Sequence, residues 1–424
     1  CDWLQYKMVA NHGVPEKAQL LGYATYADYA LEERMARQPQ TVHRFLARLL
    51  APSLPAAKRE VAEIEAYARQ HGFEGTLMPW DFSYWSEKLR KERYALDDAL
   101  LKPYFRLESV QAAVFDLAGR LYGLKFEARS DLPVYHPDVR AFVVRDEDGR
   151  MMSLLYLDYF PRESKRGGAW MTAFRELGTF RGVEERPQVS VVTNFTKPTP
   201  GTPSLLTFNE VTTLLHEFGH ALHGMLAEGR YPSMTGTNVA RDFVELPSQL
   251  MENWAFEPQW LHTFARHWQT GEPLPDALME RIAAARNYHA AYFQVRQLRF
   301  GLLDLAWHTF TGAPDQGAEA LEQQALSDCA VLPDIPGSAI STSFSHIFSG
   351  GYSAGYYSYK WAEVLEADAF ALFRQKGIFS REVAASFREN ILSRGGSEDE
   401  AVLYRRFRGH EPDPQALLDK LEIH

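Results

Sequence analysis

A mainly α-helical fold carrying one small antiparallel β-sheet is the class this sequence predicts, and three observations predict it. Apolar residues recur three and four apart through most of the chain, which is the helical period. Short β-rich runs are confined to about residues 125–195. Directly after them comes "LLHEFGHALHGML", residues 214–226, an apolar helical pattern that carries histidines.

The elements follow in order. "YATYADYALEERMA" and "TVHRFLARLL" have helical spacing, and "PSLPAAKREVAEIEAYARQHG" reads as a further helix with Pro at its start and Gly at its end. "MPWDFSYWSEKLRKERYAL" reads as a helix on the surface of a bundle. "DVRAFVVRDEDGRMMSLLYLDYF" is two strand patterns around the turn Asp146–Gly149, a hairpin signal, and "PQVSVVTNF" is a third strand. "PRESKRGGAWM" between them is a loop without the spacing of a phosphate-binding loop. Thr207 with Glu210 forms a capping box, so a helix is expected from there to about Gly229. Helical patterns then continue to the end, interrupted at "LPDIPGS". The expected division is a helical part over 1–107 and a region over 108–424 that holds the small sheet, the histidine segment and the helical C-terminal part.

Composition narrows the function. The chain has 424 residues, 46% of them hydrophobic, including 26 Phe, 20 Tyr and 9 Trp, so core material is ample and disorder is not expected. A net charge of -10 gives nucleic-acid binding no electrostatic support. No apolar run is long enough to span a membrane. With Cys1 and Cys329 alone there is no disulfide framework, and a reducing cytoplasm is the simplest expectation. The opening "CDWLQYKMVANHG" has neither an initiator Met nor signal-peptide order, so a piece of something longer is expected.

The histidine segment holds the chemistry. On a helix His216 and His220 lie one turn apart on one face and can aim two imidazoles at one ion. Zinc suits such ligands, one ion per chain. Glu217 flanks the ion instead of binding it, and can take a proton from the attacking water. His223 continues the same face as a further polar group or a packed core residue. The third ligand must come from elsewhere. "RDFVELPSQLMENW" offers Asp242, Glu245 and Glu252, and spacing prefers Glu245 to Glu252. A closed structural zinc site is disfavoured, because such sites take four protein ligands and usually Cys.

A second constellation lies in "SFSHIFSGGYSAGYYSYKWAEV". Gly350 and Gly351 would let a peptide backbone approach. His346, Tyr352, Tyr356 and Tyr359 could donate hydrogen bonds to an oxyanion. An aromatic helix start packed in the core accounts for the same residues equally well.

"HEFGHALH", "DFVELPSQLMENW", "FSHIFSGGYSAGYYSYKWAEVL" and "ILSRGGSEDE", with "MPWDFSYW", "LKPYF" and "KRGGAWM", together resemble the thimet oligopeptidase family of zinc metallopeptidases. The likeness is to its C-terminal catalytic portion, with bacterial members of the oligopeptidase A and peptidyl-dipeptidase kinds. It implies that His216, His220 and Glu245 bind zinc and that Glu217 is the general base. It also implies that Tyr359 and His346 stabilise the tetrahedral intermediate, and that Tyr352 and Tyr356 contact substrate. The implied fold is a helical peptidase fold around a deep channel that admits short unstructured peptides. The implied activity is that of an oligopeptidase, with a peptidyl-dipeptidase as the alternative. Family members carry a long helical region before the point where this chain begins. On that reading, a channel wall would come from the missing N-terminal part of the same protein, or the chain would be an inactive fragment.

Overall fold

The computed structural model describes residues 15–311, 317–349 and 351–424. Cys1 and Gly350 therefore lie outside the described residues. Helix α1, Pro39–Gln70, buries a stripe that includes Val42, Phe45, Leu46, Leu49, Ala57 and Ile64. Two helices were expected here, but the chain stays helical through Pro52 and Pro55. Ser53 Oγ donates to the Leu49 carbonyl one turn back at 2.7 Å, and so is satisfied although buried. Helix α2, Pro79–Tyr94, packs on α1 and buries Phe82, Trp85 and Leu89.

Helix α3, Leu107–Tyr122, ends at Gly123, whose φ of +74° supplies the left-handed C-terminal turn. The sheet follows: β1 Lys125–Arg129, β2 Arg140–Arg145, β3 Met151–Asp158 and β4 Trp170–Arg175. A separate hairpin pairs β5 Gly178–Phe180 with β6 Val183–Glu185, and β7 Gln188–Val192 returns to the main sheet. The β2–β3 turn falls at "DEDG", where Gly149 at φ +86° lets its amide reach the Asp146 carbonyl at 3.0 Å.

The sheet order is β1-β2-β3-β7-β4. It is mixed where a wholly antiparallel sheet was expected, because β7 lies parallel to β3. The intervening β4 crosses to the far side of β7 and pairs with it antiparallel, which leaves β4 at the edge. The loop stretch "KRGGAWM" thus ends in a strand.

Helix α4, Phe208–Met225, packs on β7, β4 and β3. Its buried face is Val211, Leu214, Leu215, Phe218, Leu222 and Met225. The helix stops a turn before Gly229, capped at Leu226. Helix α5, Leu246–Glu252, packs against α4. Helix α6, Ala290–His308, packs on α1, and helix α7, Ser358–Lys376, packs on α5. No helix among the described residues is long and apolar enough to cross a membrane.

Candidate metal centre

The capping box starts α4 where the sequence places it. Glu210 N donates to Thr207 Oγ1 at 3.1 Å, and Thr207 N donates to Glu210 Oε2 at 2.7 Å. With the apolar face fixed on the sheet, His216 and His220 lie off that face with ring centroids 5.0 Å apart. Gly219 stands between them. A Cβ there would meet the Pro247 carbonyl at 2.4 Å and Ser248 Cα at 2.5 Å. The missing side chain is what lets α5 come so close, and α5 brings Glu245 with it.

Glu245 is the N-cap residue of α5 and is buried. Its Oε2 lies 3.3 Å from His216 Nε2 and 3.1 Å from His220 Nε2. Ser248 Oγ donates to Oε2 at 3.0 Å, and the Tyr352 hydroxyl donates to Oε1 at 3.3 Å. Glu252 meets the other face of His216, accepting from Nδ1 at 2.6 Å. With a metal in place, that bond would keep the ring proton on Nδ1 and leave Nε2 as the ligating nitrogen. Asp242, the remaining carboxylate of the segment, is fully buried and holds backbone amides instead.

The donor set fits a divalent metal. The ligand atoms of His216, His220 and Glu245 all lie within 4.8 Å of one another. Two imidazole nitrogens and one carboxylate oxygen are a donor set that catalytic zinc sites commonly use. The electrostatics show the same demand for positive charge. Burial acts to lower His216, but the Glu245 and Glu252 carboxylates outweigh it and raise the imidazole to about 10. Burial acts to raise Glu245, and hydrogen bonds from His216 and His220 overcome it, holding the carboxyl well below its usual range.

Glu217 is buried beside this cluster. Burial raises its carboxyl above the ordinary value, partly offset by His216 and His220 and by a backbone hydrogen bond from Met171 on β4. His223 sits apart from the cluster. It is fully buried, neither ring nitrogen has a partner among the described residues, and burial lowers it to about 3.

The tyrosine-rich segment closes over the cluster. Tyr352 stacks on Tyr359 with centroids 4.9 Å apart, and Tyr356 meets Tyr359 edge-on at 5.4 Å. Burial raises the Tyr359 phenol, with neighbouring Tyr352 adding to it. The Tyr356 hydroxyl donates to Gln297 Oε1 at 2.9 Å. His346 is exposed, its ring 6.2 Å from Tyr352 and 6.1 Å from Tyr356. Gly351 takes φ +81° at the near end of this segment. Arg241 lies over the Tyr352 ring at 4.9 Å. Sequence reading passed over Arg241, although its position one turn before Glu245 was a usable signal.

The pattern of Peptidase family M3 matches residues 6–423. The chain belongs to peptidase family M3. It is 45% identical over 412 residues to oligopeptidase A of Escherichia coli (strain K12), covering 96% of this chain and 60% of that protein. It is 43% identical over 407 residues to dipeptidyl carboxypeptidase of Salmonella typhimurium, covering 95% and 59%. The M3 chain thus spans about 60% of the length of these relatives. Among solved structures, the M32 carboxypeptidase from Deinococcus radiodurans R1 aligns with a TM-score of 0.56 at 16% identity, covering 99% of this chain and 72% of the other. PZ peptidase A also gives 0.56, at 14% identity, covering 96% and 62%. At such identities the likeness shows the fold alone.

Proposed function

We propose that this chain carries the catalytic centre of a zinc-dependent oligopeptidase that hydrolyses short unstructured peptides. The observation that carries the reading is the convergence of His216, His220 and Glu245 with Glu217 buried alongside. His216 Nε2, His220 Nε2 and a Glu245 oxygen would hold the ion. Bound there, zinc would supply Lewis acidity toward a peptide carbonyl and toward water. Glu217 takes the proton from the attacking water and delivers it to the leaving amine. Its burial favours this, since a raised carboxyl is the better base near neutral pH. Tyr359, assisted by His346, donates to the developing oxyanion. Tyr352, Tyr356 and Gly351 line the substrate path. The edge strand β4, next to Glu217, offers an extended peptide a backbone to run along.

The Glu217→Gln variant tests the assignment. Metal content should stay at one per chain while cleavage of an internally quenched peptide falls about 100-fold or more. Near wild-type cleavage would remove Glu217 from the mechanism. The likeness to a dipeptidyl carboxypeptidase, almost as close as that to oligopeptidase A, supports a second reading, release of C-terminal dipeptides. Amidating the C-terminus of the test peptide separates the two. An oligopeptidase still cuts it, whereas an enzyme that reads the terminal carboxylate does not.

A further inference from the structure

Asp304 lies on α6 with no exposed surface, and no step above uses it. A carboxylate buried this deeply is stable only among donors, so its partners reveal its task. Oδ1 accepts the Ala354 amide at 2.8 Å, and Oδ2 accepts the Tyr356 amide at 2.8 Å. His308, one turn on and also buried, brings Nδ1 to 2.8 Å from Asp304 Oδ1. The Asp304 backbone carbonyl lies 2.8 Å from the same nitrogen. The two nearest neighbours are acceptors, which assigns the proton to Nδ1, and the Ala354 amide, 3.4 Å from the same nitrogen, is taken up by Asp304 instead.

The backbone held in this way needs holding. Ala354 has φ +53°, a left-handed conformation that an alanine keeps only under constraint. It lies between Tyr352, whose hydroxyl reaches Glu245, and Tyr356, whose ring meets Tyr359. The next residue, Tyr357, is pinned separately, its hydroxyl donating to Asp242 Oδ2 at 2.6 Å. The chain beyond Tyr356 therefore cannot absorb a shift at Ala354, and the tyrosine rings must.

We propose that Asp304, oriented by His308, is a positioning residue that fixes the backbone between Tyr352 and Tyr356 so that the hydroxyls of both side chains are set to receive a peptide over the metal cluster. The inference rests on the peptidase reading given above. Asparagine at this position keeps the size but turns an NH2 group toward one of the two amides.

The test compares Asp304→Asn in the wild-type background and in a Tyr352→Phe/Tyr356→Phe background, using metal-loaded protein. In the wild-type background kcat/KM should fall about 10- to 100-fold with metal content unchanged. Amide exchange at Ala354 and Tyr356 should quicken while that of α4 stays the same. In the phenylalanine background the same change should alter kcat/KM less than about twofold. An equal loss in both backgrounds overturns the inference, and so does wild-type kcat/KM in Asp304→Asn. Should Asp304→Asn not fold, His308→Gln serves the same design. A loss that vanishes in the phenylalanine background supports the inference, and a wild-type value overturns it. The peptidase reading fails differently, through a metal-loaded wild-type protein that cleaves no peptide, and takes the inference with it.

Discussion

At His216 the two ring nitrogens do different work. Nε2 faces Glu245 and the cluster, while Nδ1 is engaged by Glu252 at 2.6 Å. Glu252 is thus a hydrogen-bond partner of the proposed ligand His216, although by sequence it competed with Glu245 as a ligand itself. Glu252→Ala should weaken metal binding by about 10- to 100-fold, read by competition with a chelator. Loss of binding altogether would make it a ligand, and unchanged affinity would leave it without a role. His223 tests the opposite case. Its folded value of about 3 lies below the ordinary 6.5, so between those values the unfolded chain binds a proton that the folded chain does not. Stability from this group is therefore full above pH 6.5 and is lost as pH falls toward 3. His223→Leu should flatten that acid-side decline in urea titrations. At pH 7 it should be neutral or stabilising by about 1–3 kcal/mol, since it removes two buried nitrogens that have no partner among the described residues. A steeper decline would contradict the buried neutral imidazole. The histidine pair and Glu217 were legible because they are spaced on one helix. Asp304 was not, because its partners are backbone amides on a distant segment and nothing in local spacing marks them.

Between elements, the decisive contact is the crossing of α4 and α5 at Gly219. A methyl group there would overlap backbone atoms of Pro247 and Ser248, which cannot turn aside as a side chain could. Gly219→Ala should therefore push α5 away and carry Glu245 off the histidines. The expected loss is about 1–3 kcal/mol of stability, together with a marked fall in metal affinity. Wild-type metal affinity in this variant would show that the crossing does not set the ligand geometry. The capping box and the "DEDG" turn were readable because cap and turn chemistry is local. The β3–β7 parallel pair and the edge position of β4 were not, since pairing depends on where the chain returns. The continuity of α1 through Pro52 and Pro55 was missed because its burial against α6 outweighs the local helix-breaking signal.

Across the whole molecule, the site is assembled from three stretches of chain, and long-range ties hold them in register. Asp242 accepts the Met35 and Ala36 amides, each at 3.0 Å, and the Tyr357 hydroxyl, joining the Glu245 segment to the tyrosine-rich one. A shared apolar cluster joins Leu46 and Leu49 on α1, Val295 and Leu298 on α6, and Leu417 near the C-terminus. Leu46 lies against Gly301, whose missing side chain lets α1 and α6 approach. The central claim is that this assembly binds one metal ion and uses it, with Glu217, to cut peptides. Its most direct test is a zinc titration of metal-stripped protein with peptide cleavage followed throughout. The account predicts cleavage that rises from nothing and levels off at one equivalent, with Glu217→Gln binding the same equivalent and remaining inactive. Cleavage by the stripped protein, or full activity in Glu217→Gln, would contradict it.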